Sequence, residues 1–287
     1  MKSRIASVIL SQPFQLSWMG SALRAFVRAT HGAMNYSPHF RLDTQALDRP
    51  HYAYCMLRAA ELARRLGHDR ISAIEFGVAG GNGLAFMCAF APEVKAATGV
   101  TVDCYGFDTG EGMPPPEGAA DLPYWFQAAQ YRMDQDALRA KLPEARLVIG
   151  NVRNTLAGFL DSHAPAPIGA VFNDTDYWSS TRDSLSLFLQ ARDRPEHFLP
   201  RIFNYFDDIL GSEIEMYGPH NGQLRAIAEF NAAQEDVKVH LNQNLIHQLH
   251  LRYRHQIYYA HVFCHPDYDR FVGAGNQQVI EDALKLR

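Results

Sequence analysis

Several things are scarce in this chain, and each scarcity excludes something. Only four cysteines occur among 287 residues (Cys55, Cys88, Cys104 and Cys264), far apart and with no C-x-x-C pair, which argues against a structural zinc site or a disulfide framework. Cys88 and Cys104 lie in apolar stretches, where a thiol behaves as a small core residue, so a reducing, cytoplasmic setting is expected. Neither sign of charge dominates. A net charge of −4 gives bulk electrostatics no means of recruiting nucleic acid or an anionic membrane surface. No run approaches the ~18 apolar residues of a membrane span. The short run Ala6–Leu10 is broken by Ser11-Gln12-Pro13 and is too short for a signal-peptide core. The expected partner is therefore a small molecule, with no nucleic acid and no membrane.

Apolar residues are plentiful: 47% of the chain is hydrophobic and 11% aromatic, enough for a sizeable core. There is no internal repeat and no low-complexity segment. Residues 1–48 have weak periodicity and read as a helical arm preceding one domain over 49–287. In that domain apolar strands at Ile71–Phe76, Val100–Phe107, Arg146–Ile149, Ile168–Phe172, Arg201–Phe206, Val237–Leu241 and Gln256–Phe263 alternate with helical stretches. Cys55, Ala59, Leu62 and Leu66 recur at helical spacing before Gly67. The next helix is expected to run from the glycines through Phe90, and another over Ser180–Leu189, opened by the capping-box pattern Ser180-Thr-Arg-Asp183. Strands separated by helices at this rhythm predict an α/β, Rossmann-like fold: a seven-stranded, mainly parallel sheet with helices on both faces. Ligands of such sheets sit beyond the carboxyl ends of the strands.

Two of those ends carry the marks of a nucleoside site. Glu75-Phe-Gly77-Val-Ala-Gly80-Gly81-Asn-Gly83 joins a strand to a helix, and four glycines in seven residues allow a tight turn and close approach of a ligand to the backbone. A nicotinamide dinucleotide would favour G-x-G-x-x-G, but Phe86 stands where the third glycine belongs, and the next strand-end acid, Asp108, comes late for that fingerprint. The pattern E-x-G-x-x-x-G fits S-adenosylmethionine better. Glu75, Gly77 and Gly81 are thus candidate cofactor-binding residues. Asp108 is expected to accept both ribose hydroxyls, and Asn151, at the end of the third strand, to meet the adenine edge.

Acids crowd the next two ends. Asp174 and Asp176 close the fourth strand, and Asp207-Asp208 the fifth, with no cation in the local sequence. Crowded carboxylates raise one another's pKa values, and a divalent cation relieves the repulsion; oxygen ligands alone suit Mg²⁺ rather than zinc. Methyl transfer to a hydroxyl gives the cation a use, because a neutral alcohol is a poor nucleophile. Asp174, Asp207 and Asp208 are therefore expected as metal ligands, Asp174 also bordering the cofactor, and Asp176 as general base. Six of the 13 histidines (His240, His247, His250, His255, His261 and His265) fall late in the chain without an H-E-x-x-H pattern, and are read as surface or acceptor-pocket residues.

In order along the chain, Glu75-Phe-Gly-Val with its glycines, Tyr105-Gly-Phe-Asp108-Thr-Gly-Glu-Gly-Met-Pro114, Asp174-Thr-Asp176-Tyr-Trp-Ser-Ser-Thr181, Asp207-Asp208 and Asn221-Gly-Gln-Leu-Arg-Ala-Ile-Ala-Glu-Phe230 resemble the macrocin O-methyltransferase (TylF-like) family of class I S-adenosylmethionine-dependent methyltransferases. The resemblance spans about residues 50–263. It implies Mg²⁺-assisted methylation of hydroxyls on sugars or related groups of natural products, and a mobile segment over the active site, matching 110–131 here. It also implies assembly, for which residues 1–48 are a candidate homo-oligomer interface. A metal-independent methyltransferase and a non-catalytic relative remain the alternatives.

Overall fold

A computed structural model of the chain describes residues 18–273 and 277–285; the Ala6–Leu10 run lies outside the described residues. Strands β1 (Arg70–Phe76), β2 (Thr101–Asp108), β3 (Arg146–Ile149), β4 (Ile168–Asn173), β5 (Phe198–Phe206), β6 (Val237–Leu241) and β7 (Ile257–Val262) form one sheet in the order β3-β2-β1-β4-β5-β7-β6. The first five strands are mutually parallel, and β7 runs antiparallel to both β5 and β6. The α-helices among the described residues are α1 (Trp18–Met34), α2 (Pro38–Asp43), α3 (Pro50–Leu66), α4 (Asn82–Thr98), α5 (Gln135–Lys141), α6 (Val152–Thr155), α7 (Phe159–His163), α8 (Trp178–Leu185), α9 (Gly222–Ala233) and α10 (Gln277–Leu284), and short 3-10 turns, one of them Ala119–Asp121, lie between them. The fold is the expected α/β, Rossmann-like one: a seven-stranded, mainly parallel sheet with helices on both faces.

β1 is buried at every position after Arg70 because both of its faces are covered. Its side chains alternate between two cores. Ile71 and Ala73, with Val102 and Cys104 of β2, pack under α3 and α4, whereas Ile74 and Phe76, with Tyr105 and Phe107, pack against α7 and the α8–α9 layer. α3 starts with Pro50 in its first turn, where the missing amide costs nothing, and stops at left-handed Gly67, whose N–H reaches the carbonyls of Ala63 and Arg64. α1 and α2 share a third, small core of Val27, Tyr36 and Ala46 with Leu23 and Phe40. The Arg28 side chain fastens α1 to the carbonyls of Ala46 and Leu47.

Two sequence expectations shift. α4 does not end near Phe90 but continues through Pro92 to Thr98, forgoing one backbone hydrogen bond while burying Val94 and Thr98. α8 begins at Trp178 rather than Ser180, so Ser180 and Asp183 form no capping box. Tyr177 holds the N-cap position without a side-chain bond, and Asp183 pairs with Arg153 and Arg182. No described helix is long and apolar enough to cross a membrane.

Candidate active site

The strand order reverses between β1 and β4, which opens a crevice at their carboxyl ends. Four backbone bonds continue the ladders just past the strands: Gly77 N–H to Phe107 O (2.9 Å), Gly150 N–H to Asp108 O (2.9 Å), Asp174 N–H to Phe76 O (2.9 Å) and Asp207 N–H to Asn173 O (3.0 Å). They set the chain at one common level along the rim of a cavity of about 450 Å³, a usual size for a small-molecule site. Glu75, Gly77, Asp108, Asn151, Asp174, Asp176, Asp207 and Asp208 all line it. Gly81 does not; it caps α4 from behind, facing Leu138 of α5.

Two glycines are dictated by close approach. A Cβ on Gly77 (φ +85°) would stand 1.7 Å from the carbonyl oxygen of Asp174, and one on Gly83 would stand 1.7 Å from Glu75 Oε1. The loop can therefore fold over the ends of β1 and β4 only without side chains there. Glu75 is 1% exposed, and its Oε1 accepts the Tyr52 hydroxyl at 2.5 Å. Among the described residues its Oε2 has no hydrogen-bond partner. Burial pushes this carboxyl up to about 8, helped by the Asp174 charge and opposed by the Tyr52 bond.

Asp108 organises the glycine loop. Its Oδ2 accepts the N–H groups of Val78 and Ala79 (both 2.9 Å), and its Oδ1 accepts that of Gly110 (2.7 Å). A carboxylate offers about four lone-pair sites, so one remains, on Oδ1. Asn151 stands exposed at the other rim, where its Oδ1 accepts Arg153 N–H (3.0 Å) as the N-cap of α6.

Asp174, Asp207 and Asp208 converge, with one carboxylate oxygen of each within 4.8 Å of the others. Asp208 accepts the backbone N–H of Asp176 at 2.9 Å, and Asp207 accepts the Tyr205 hydroxyl. Burial first, and then the neighbouring acids, push Asp174 and Asp208 well above the usual carboxylate range and Asp176 up to about 7. Asp176 itself is held in the left-handed region (φ +53°), as are two other non-glycine residues of the cavity wall, Ala79 (+44°) and Tyr131 (+59°). Such backbones collect at functional sites because the surrounding structure must hold them in place. This donor set suits one hard divalent cation, whose oxygen ligands stand roughly 2.0–2.6 Å away.

Sequence reasoning found no cation for these acids, and the structure supplies one. Arg49, just ahead of α3, lines the cavity, and its charge favours the ionised forms of Asp174 and Glu75. It was invisible because its acids lie 26 and more residues away and no local pattern marks it. Tyr52, on the first turn of α3, was missed for the same reason. Residues 110–131 contribute Gly112, Met113, Pro114, Pro115, Glu117, Phe126 and Tyr131 to the cavity wall, and Glu215 also lines it. The six late histidines contribute none of the wall; His240, His261 and Phe263 instead stack in a row on the β6–β7 surface.

No protein-family model matches the sequence, and no curated protein matches it. Among solved structures the chain is similar to CalS11, a calicheamicin methyltransferase (17% identity over 87% of this chain and 93% of that one, TM-score 0.49). It is also similar to the O-methyltransferase NovP (14%, 85% and 98%, TM-score 0.48) and to the mycinamycin-pathway methyltransferase MycE (14%, 83% and 62%, TM-score 0.38).

Proposed function

We propose that this protein is an S-adenosylmethionine-dependent O-methyltransferase of the macrocin (TylF-like) type, acting on a hydroxyl of a sugar or related natural product with the help of Mg²⁺. One observation carries the reading. Asp174, Asp207 and Asp208 converge beside Asp176 on the same cavity wall as Glu75, the glycine loop and Asp108.

S-adenosylmethionine supplies an electrophilic methyl group. The site suits it: the glycine loop lines the cavity, Asp108 keeps one acceptor site for a ribose hydroxyl, and Glu75, in the same wall, is an acceptor for a cationic amino group. Asn151 stands at the rim where the adenine edge is assigned. A divalent cation held by Asp174, Asp207 and Asp208 supplies acidification of the acceptor hydroxyl. Asp176, whose backbone N–H bonds Asp208 on the same wall, takes that proton. The 110–131 segment keeps water from the reacting atoms.

Calorimetric titration with S-adenosylmethionine, with and without Mg²⁺, tests the reading. Binding in the micromolar range, weakened by about 1–3 kcal/mol in Asp108→Ala, is expected. Absence of binding under every condition removes the methyltransferase reading. An acceptor screen then separates the metal-independent alternative, because a chelator abolishes turnover only if the cation acts.

A further inference from the structure

α8 carries the Asp174–Tyr177 loop on its N-terminus but brings no cap of its own, since the Tyr177 side chain makes no capping bond. The cap comes from the covering segment, 58 residues earlier. Asp121, fully buried, accepts Ser179 N–H on Oδ1 (2.8 Å), and on Oδ2 both the Ser179 hydroxyl (2.8 Å) and the Glu117 N–H (2.7 Å). Three donors and the positive end of the α8 dipole compensate this carboxylate.

The rest of the segment's attachment is modest. Leu122 and Phe126 pack with Tyr177, flanked by Met113 and Tyr217, in a small cluster separate from both main cores. The Tyr124 hydroxyl donates to Glu215 O at 2.7 Å on the surface, and Glu117 pairs with Arg153 (2.6 Å) and Arg182 (3.2 Å) in an exposed network. Exposed ion pairs hold weakly. Asp121 thus ties the segment to α8 at Ser179, two residues beyond Tyr177 and three beyond Asp176. The first turn of α8 follows directly on Tyr177 and on the left-handed backbone of Asp176.

We infer that Asp121 is a positioning residue: it couples docking of residues 110–131 over the cavity to the alignment of the Asp174–Asp176 loop, so that covering the site and setting its acids occur together. Its consequence for turnover rests on the proposed function; the coupling itself does not, and is read on the protein alone.

The test is amide hydrogen exchange on the full-length chain, comparing wild type with Asp121→Ala, Asp121→Asn and Glu117→Ala. Loss of a helix cap corresponds to roughly five- to thirtyfold more opening. In Asp121→Ala, exchange is expected to rise by that factor in peptides covering both 111–126 and 174–185, while β1 and α3 stay as in wild type. Asp121→Asn, which keeps one oxygen acceptor, falls between the two. Glu117→Ala, which removes exposed ion pairs but leaves the Asp121 cap, loosens 111–126 more than 174–185. Faster exchange confined to 111–126 in Asp121→Ala, or none in either peptide, overturns the inference. Where Asp121→Ala loosens the whole molecule, the same criterion is applied to Asp121→Asn. S-adenosylhomocysteine titrated against wild type keeps the two readings apart: failure to bind removes the methyltransferase reading and leaves the exchange result standing. With an acceptor in hand, Asp121→Asn lowers kcat more than it raises the KM for S-adenosylmethionine, a split that a merely structural defect would not produce.

Discussion

Two neighbouring glycines should respond oppositely to the same substitution. Gly77 has φ +85°, and a Cβ there would lie 1.7 Å from the backbone oxygen of Asp174 and 2.7 Å from its carbonyl carbon. A left-handed backbone costs an alanine about 1–2 kcal/mol. The clash is with main chain rather than a flexible side chain, so no rotamer change relieves it, and forcing the β1 and β4 ends apart adds about 1–3 kcal/mol. Gly77→Ala is therefore expected to destabilise by about 2–5 kcal/mol, lowering the melting temperature by on the order of 5–15 °C. Gly80, three residues on, is exposed, and a Cβ there meets nothing within 4 Å. Gly80→Ala should stay within about 1 kcal/mol of wild type, because it reduces the freedom of the unfolded chain without a native clash. Urea and thermal unfolding followed by circular dichroism, both variants side by side, measure the difference. Equal melting temperatures for the two variants would refute the claim that close packing of β1 on β4 dictates this loop.

Other consequences follow from the buried acids. Glu75 and Asp176 are raised to about 8 and about 7, so between roughly pH 4.5 and 8 the folded chain binds more protons than the unfolded one. Without divalent cations stability should fall as pH climbs through that window; melting scans in chelator from pH 5 to 9 that rise instead would contradict this. Mg²⁺ added at pH 8 should recover melting temperature by relieving the Asp174–Asp207–Asp208 repulsion, and Asp207→Asn should lose most of that recovery. Arg49→Met should steepen the decline with pH, since Asp174 and Glu75 lose the cation that favours their charged forms; an unchanged profile would mean that Arg49 is solvated rather than engaged.

The sequence by itself determined the sheet and the level of the site. The strand runs, the helix at 55–66 and the loop glycines obey rules that act within a few residues: side-chain period, cap chemistry and backbone freedom. Because parallel strands end at one edge of the sheet, placing Glu75, Asp108, Asp174 and Asp207 at strand ends was already enough to bring them to one crevice. What tertiary structure alone decided are the partners. Arg49 answering Asp174, Tyr52 bonding Glu75, and Asp121 capping α8 in place of Ser180 and Asp183 each join residues tens of positions apart. The slot of β7 between β5 and β6, and the course of α4 past Pro92, belong to the same class. A buried polar group must find a partner, but its own neighbourhood in sequence does not say which; packing settles that only when the layers close.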